Sequence, residues 1–193
     1  QKTLEGVSVS AVIEQAQAEF DRLATALGNA GVNVLVFEEQ LPHETPDALF
    51  PNNWISTHET GTVCLYPMFA PNRREERRED VIVQLEHEAG FSIENIVDFT
   101  EFELHNRFLE GTGSMVLDRI NRKAYAAISS RTDETALLHF CQELDYEPVA
   151  FSAMQSAEDR RHPIYHTNVM MSIGSGFCAI CLESIDDGEE RQA

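Results

Sequence analysis

Residues 114–151 read SMVLDRINRKAYAAISSRTDETALLHFCQELDYEPVAF. Two apolar-rich runs flank the polar turn Asp118–Arg122, which is the pattern of a β-hairpin. Thr132 then stands as a helix N-cap. Behind it Ala136, Leu137, Phe140, Cys141 and Leu144 recur at the spacing that places them on one helical face. EPVAF reads as a further strand. One stretch therefore predicts strand, strand, helix, strand.

The same order lies on either side. Upstream, NWISTHE and TVCLYPM read as two short strands with Gly61 near their turn. RREERREDVIVQLEHEAG follows as a helix with Asn72 as N-cap and Gly90 at its end, and ENIVDF as a strand. The RREERRED opening reads as a solvated helix face. Earlier still, VIEQAQAEFDRLATALGNAG carries Val12, Ala16, Phe20, Leu23 and Leu27 at helical spacing, with Gly31 as its stop and VNVLVF as the next strand. Downstream, residues 165–183 form an apolar hairpin around Gly-Ser-Gly, and IDDGEERQA predicts the start of another helix. The layout is α-β, then ββαβ twice, then ββ. Repeats of this size predict blades or arrays rather than a doubly wound sheet. A repeat that opens and closes in mid-unit suggests a single domain, 1–193, that is incomplete.

Composition bounds the function. The 193 residues are enough for one domain with a real core, and 42% of them are hydrophobic. No apolar run approaches a membrane span, and no signal-peptide pattern opens the chain. A formal net charge of −19 argues against a nucleic-acid partner and favours a cationic small molecule. Cys64, Cys141, Cys178 and Cys181 make no disulfide framework, which points to a reducing, cytoplasmic setting. Cys178 and Cys181 read C-x-x-C, yet within a strand such residues face opposite ways, so buried thiols are expected there rather than a metal or redox pair. His162 and His166 are separated by Pro163, which breaks any helix that could pair them on zinc. His43, His58, His87, His105 and His139 show no ligand spacing and read as surface or helix-face residues. Trp54 reads as core.

A polar cluster precedes each hairpin: FPNNW (50–54), LEGTGS (109–114) and YHTN (165–168). Asn53 and Glu110 are 57 residues apart, and Glu110 and His166 are 56 apart. Rotationally related units would bring all three residues toward one axis and one cavity, as a catalytic site requires. His166 and Asn168, two apart at a strand mouth, are expected on one face.

These segments carry a resemblance. PDALFPNNW resembles the dimethylargininase segment with F-V-E-D and the deiminase segment with F-T-R-D. LEGTGSMVL resembles L-E-G-G-D-V, SSRTDETA resembles S-x-R-T-N, and HTN resembles H-L-D or H-L-K. Four motifs in family order over residues 47–168 resemble the guanidino-group-modifying (pentein) superfamily. It includes arginine deiminases, dimethylargininases, amidinotransferases and citrulline hydrolases. The resemblance implies an α/β propeller of ββαβ units, with about three of five blades' worth of repeat in this sequence. It implies a hydrolase acting on a non-peptide C–N bond, with His166 as general acid/base and Glu110 as its acidic partner. Asp47, Asn52 and Asn53 would face the guanidino or ureido end of the substrate, Arg131 its α-carboxylate, and Asn168 would stand where deiminases carry an aspartate. Amides at positions 52, 53 and 168 suit a neutral ureido group, so citrulline is favoured over arginine.

The family reaction uses a cysteine thiolate near the C-terminus. Cys178 and Cys181 fall in the hairpin instead, so the nucleophile is expected beyond this chain's end. No metal or organic cofactor is implied. The rivals are a binding module without the nucleophile and an amidinotransferase. If the chain ends here, an open propeller exposes strand edges and predicts self-association into a homo-oligomer.

Overall fold

The computed structural model describes residues 8–38, 45–157 and 159–192. Helix α1 (Val9–Asn29) is N-capped by Ser8, whose side chain accepts from the Ala11 N–H. The backbone then turns at Gly31, where φ is +86°, a conformation open to glycine without strain. None of the α1 side chains is buried. The helix is formed by its own periodicity and capping, and its apolar stripe faces outward. VNVLVF, expected as a strand, joins no ladder: residues 32–38 have no strand partner among the described residues. Phe37 still packs against the core beneath the first sheet.

The first unit is β1 (Ile55–Thr57), β2 (Thr62–Leu65), α2 (Pro71–Arg74), α3 (Glu79–His87) and β3 (Asn95–Asp98). β1 and β2 pair antiparallel and β2 and β3 parallel, the crossover running through the helices. The helix expected over residues 73–90 is thus two pieces. The break falls at residues 75–78, where Arg78 is extended at the start of α3. Neither piece is capped by Asn72: Ala70 precedes α2, and Arg78 precedes α3.

The second unit repeats the first. A short helix α4 (Gly111–Ser114) leads into β4 (Val116–Asp118) and β5 (Lys123–Ala127), then α5 (Glu134–Leu144) and β6 (Glu147–Phe151). Strand order and direction are those of the first sheet. The N-cap of α5 is Asp133, whose carboxylate accepts from the Ala136 N–H, and not Thr132, which is buried one residue earlier. All five residues of the expected α5 stripe are buried. They join Tyr66, Phe99, Leu109 and Met115 in a core that spans both sheets. Trp54 is buried in a smaller core with Val63, Met68 and Val81.

An additional hairpin, β7 (Met154–Ala157) with β8 (Arg160–Pro163), separates the second unit from the third and was not expected. The last hairpin is β9 (Met171–Gly174) with β10 (Phe177–Ile180), closed at Ser175-Gly176. It packs on the second unit through Ala127, Phe151, Ile164 and Met171. The acidic segment after it forms one turn rather than a helix among the described residues. There the Asp187 carboxylate accepts from the N–H groups of Glu189 and Glu190. No helix of the described residues is long and apolar enough to cross a membrane.

Candidate active site

The turn before the first strand of each unit is where the three polar clusters fall. Pro51–Asn53 and Thr167–Val169 are single 3-10 turns, and α4 packs against both. Three segments distant in sequence thereby meet at one place.

Glu110, at the N-terminus of α4, is the centre of the meeting. It is fully buried. One carboxylate oxygen accepts the Phe69 N–H at 3.0 Å. The other lies 2.6 Å from His166 Nε2 and 3.3 Å from Arg131 Nη1. Burial by itself would raise this carboxyl. The His166 hydrogen bond, the Phe69 N–H and the Arg131 charge outweigh it and hold the group below the usual carboxylate range. Glu110 is therefore an anion, and His166 Nε2 carries the proton of the short bond. The Arg131 guanidinium is partly exposed and lies 5.3 Å from the Tyr165 ring centroid and 5.9 Å from that of Phe69. Both are distances at which a cation is attracted to the ring face.

The backbone around the pair is locked by hydroxyls. Ser114 Oγ accepts the Glu110 N–H at 2.9 Å and donates to the Arg131 carbonyl at 2.8 Å. Thr167 Oγ1 accepts the Ala127 N–H at 2.8 Å and donates to the Ser114 carbonyl at 2.6 Å. A Cβ on Gly113 would lie 2.2 Å from Asn53 Nδ2 and 3.1 Å from the His166 ring, so only glycine lets these two side chains close on α4.

Asn53 is buried, and its amide is engaged on both ends. Nδ2 donates to the Glu110 carbonyl at 3.3 Å, and Oδ1 accepts Arg73 Nη1 at 3.0 Å. Asn52 is half-buried, and its carbonyl backs onto Gly111, which adopts a φ of +46°. Asp47 is exposed, with its carbonyl taken by Arg73 Nη2. Asn168 is exposed while His166 is buried, so the two do not share a face. The cause is local: residues 167–169 form a 3-10 turn, and the strand starts only at Met171. The two-residue alternation of a strand does not apply there.

The charge run read as a solvated face turns inward. Arg73 is 3% exposed and Glu76 1%. The guanidinium reaches both Glu76 oxygens, Asn53 Oδ1, and the carbonyls of Asp47 and Phe50. Such a fork satisfies its donors, which is what allows the charge to be buried. Arg77 likewise pairs with Glu103 at 2.7 Å. These interactions draw residues 75–78 out of helical geometry, and they fix the 47–53 segment against α2. Helix periodicity could not reveal the partners outside the run, which are Asn53, the Asp47 and Phe50 carbonyls and Glu103. The two buried hydroxyls escaped for the same reason.

His58 is also buried, contrary to its reading as a surface residue. Its Nε2 lies 3.0 Å from Ser56 Oγ, which in turn lies 2.6 Å from the Tyr66 hydroxyl. Burial, aided by the Arg119 and Arg122 charges, pushes its pKa down from 6.5 to about 4. Among the thiols, Cys64 and Cys141 are buried, and burial pushes each up to about 11. Cys178 and Cys181 are exposed, not buried as expected. No cysteine hydrogen-bonds to His166 or Glu110 among the described residues. Nor do any three metal-ligating side chains there form a site.

The fold, two ββαβ units and a third hairpin with their polar turns on one centre, is that of the guanidino-group-modifying pentein proteins. The sequence matches the family described as N,N dimethylarginine dimethylhydrolase, eukaryotic, over residues 1–193, and the chain belongs to that family. No curated protein matches it significantly.

Solved structures do. The N-terminal domain of ArgZ bound to substrate, an arginine dihydrolase from the ornithine-ammonia cycle in cyanobacteria, is 19% identical with a TM-score of 0.67, covering 93% of this chain and 59% of that one. AgrE in its ternary complex with ornithine and NAD+ is 18% identical with a TM-score of 0.68, covering 93% and 24%. A dimethylarginine dimethylaminohydrolase adduct with 4-chloro-2-hydroxymethylpyridine is 11% identical with a TM-score of 0.61, covering 93% and 65%. At these identities the likeness is one of fold. The chain spans about a quarter of full-length ArgZ, 26%.

Proposed function

We propose that this protein belongs to a hydrolase that cleaves a non-peptide C–N bond of a guanidino or ureido amino acid, with His166 as general acid/base. The observation that carries the reading is the buried His166–Glu110 hydrogen bond of 2.6 Å. A buried carboxylate kept anionic holds the imidazole in one orientation and one tautomer, the arrangement in which a histidine serves as general acid and base. In this reading a thiolate attacks the central carbon, and His166 donates its proton to the departing nitrogen as the C–N bond breaks. The same ring then accepts a proton from the water that attacks the thiouronium carbon, and collapse of that adduct returns the thiolate.

The thiolate is not assigned to any of the four cysteines seen here. Cys64 and Cys141 are held as neutral thiols by burial, and Cys178 and Cys181 make no bond to the pair. The proposal therefore calls for a cysteine outside these residues. One second reading is a domain that binds the substrate without turning it over. Free thiols and the acidic composition support a cytoplasmic setting.

The substrate follows from what remains to face it. The preference for citrulline rested on amides at positions 52, 53 and 168. Asn53 is spent on Arg73 and the Glu110 carbonyl, and Asn168 is exposed. Only Asn52 is left of the three, with the exposed Asp47 five residues before it in the same segment. A cationic guanidino group is then the better fit, and arginine or a methylated arginine ranks above citrulline. Arg131 remains the group for the α-carboxylate, since its guanidinium is partly exposed and held between two rings.

The test is parallel binding calorimetry and ammonia or alkylamine release with arginine, dimethylarginine and citrulline, using His166→Ala as control. Binding or turnover of a guanidino substrate, with turnover abolished in the control, supports the reading. Binding without release by wild type supports the binding domain. Absence of binding to all three compounds sinks both.

A further inference from the structure

We propose that Thr167 is a positioning residue: its buried hydroxyl sets the distance between His166 and Glu110. In the β4–β5 ladder Val116 faces Tyr125 and Leu117 faces Ala124, so the same count runs outward through Met115 facing Ala126 to Ser114 facing Ala127. No direct bond closes that rung. The Thr167 hydroxyl sits in it instead, accepting the Ala127 N–H at 2.8 Å and donating to the Ser114 carbonyl at 2.6 Å. The third unit is thereby stitched into the hairpin of the second, one residue from His166.

The other side of the stitch reaches Glu110. Ser114, whose carbonyl takes the Thr167 proton, uses its own hydroxyl to hold the Glu110 N–H and the Arg131 carbonyl. Thr167 and Ser114 are both 0% exposed, so water cannot take over either role without entering the core. A hydroxyl supplies one donor and two acceptor positions, which is the set this rung demands. An apolar side chain of the same shape would leave the Ala127 N–H and the Ser114 carbonyl unpaired and let the two units slide. The HTN segment carries threonine where the H-L-D and H-L-K segments it resembles carry leucine, so the stitch belongs to this chain's own sequence.

This inference rests on the acid/base reading for its catalytic meaning, but its test does not need turnover. In histidine-15N-labelled protein, the low-field Nε2–H of His166 is assigned by its loss in His166→Ala. Thr167→Val, equal in shape, is expected to lose that resonance or exchange its proton about tenfold faster, because both hydrogen bonds of the hydroxyl are lost. Thr167→Ser, which keeps the hydroxyl, is expected to retain the wild-type signal. A Thr167→Val protein with wild-type resonance and exchange overturns the proposal, as does Thr167→Ser behaving like Thr167→Val. Should the valine variant fail to fold, Thr167→Ala is judged by the same resonance. If instead His166→Ala leaves turnover unchanged, the acid/base reading fails while the positioning result stands.

Discussion

His166 Nε2 and Glu110 Oε2 lie 2.6 Å apart, although 56 residues separate them and each comes from a different repeat unit. Exchanging the carboxylate for an amide keeps the shape and removes the charge. Glu110→Gln is expected to cut turnover by about 10²–10⁴-fold. Glu110→Ala should in addition destabilise the fold by about 1–3 kcal/mol, because it leaves the buried His166 Nε2–H and the Phe69 N–H without their acceptor. Turnover and denaturant melts check the two effects. A glutamine variant with wild-type rate would remove Glu110 from the chemistry. The sign with pH follows from the depressed carboxyl: its stabilisation is complete above the unstructured value of 4.5 and is lost as pH falls through the lower folded value.

His58 sets a second acid transition at higher pH. Its folded pKa of about 4 lies below the ordinary 6.5, so the unfolded chain takes up the proton first. Its contribution is fully present above pH 6.5 and disappears progressively down to pH 4, a loss of about 3 kcal/mol. Urea melts across this window should show it, and His58→Gln should flatten the slope. An unchanged slope in the variant would assign the transition to another group.

The Arg73–Glu76 pair is expected to behave as a buried ion pair. Arg73→Met should cost about 3–5 kcal/mol by stranding Glu76, and Arg73→Lys should recover only part because an ammonium cannot fork to five acceptors. The double variant Arg73→Met/Glu76→Leu should recover most of the loss. A double-mutant cycle with no coupling would show that the pair is not held together in solution.

Gly113→Ala should displace either Asn53 or the His166 ring, since both lie within 3.1 Å of the added carbon. A cost of about 1–3 kcal/mol is expected, with a shifted His166 ring resonance. A variant that melts and resonates like wild type would contradict the close approach.

Thiol accessibility gives a direct check of the last hairpin. Cys178 and Cys181 are exposed, and Cys64 and Cys141 are buried with pKa values of about 11. An aromatic disulfide reagent at neutral pH should modify two thiols quickly and the other two only on unfolding.

Periodicity carried the fold a long way. The α5 stripe, both three-stranded sheets and the last hairpin follow from spacing that neighbouring residues alone determine. VNVLVF failed because a strand needs a partner, and none lies beside it among the described residues. RREERRED failed because a charged side chain goes wherever its acceptors lie, and those of Arg73 include Asn53 and Phe50, 20 and 23 residues back. Asn53, Glu110 and His166 were legible as a set only because the repeat placed them in phase. What each amide or hydroxyl actually bonds to was not, since Asn53 is satisfied by Arg73 and the Glu110 carbonyl, and Thr167 by groups of the second unit, all distant in sequence.

The delivery of one polar turn by each unit also bears on how such a protein can change over evolutionary time. Glu110 and His166 enter at the mouths of separate hairpins, and the helices lie between those mouths in the chain. A helix can lengthen, shorten or exchange its outer charges while the centre keeps its spacing. What cannot drift independently are the small contacts at the mouths: one glycine, two hydroxyls and one buried arginine. Purifying selection should concentrate there rather than on the larger hydrophobic surfaces.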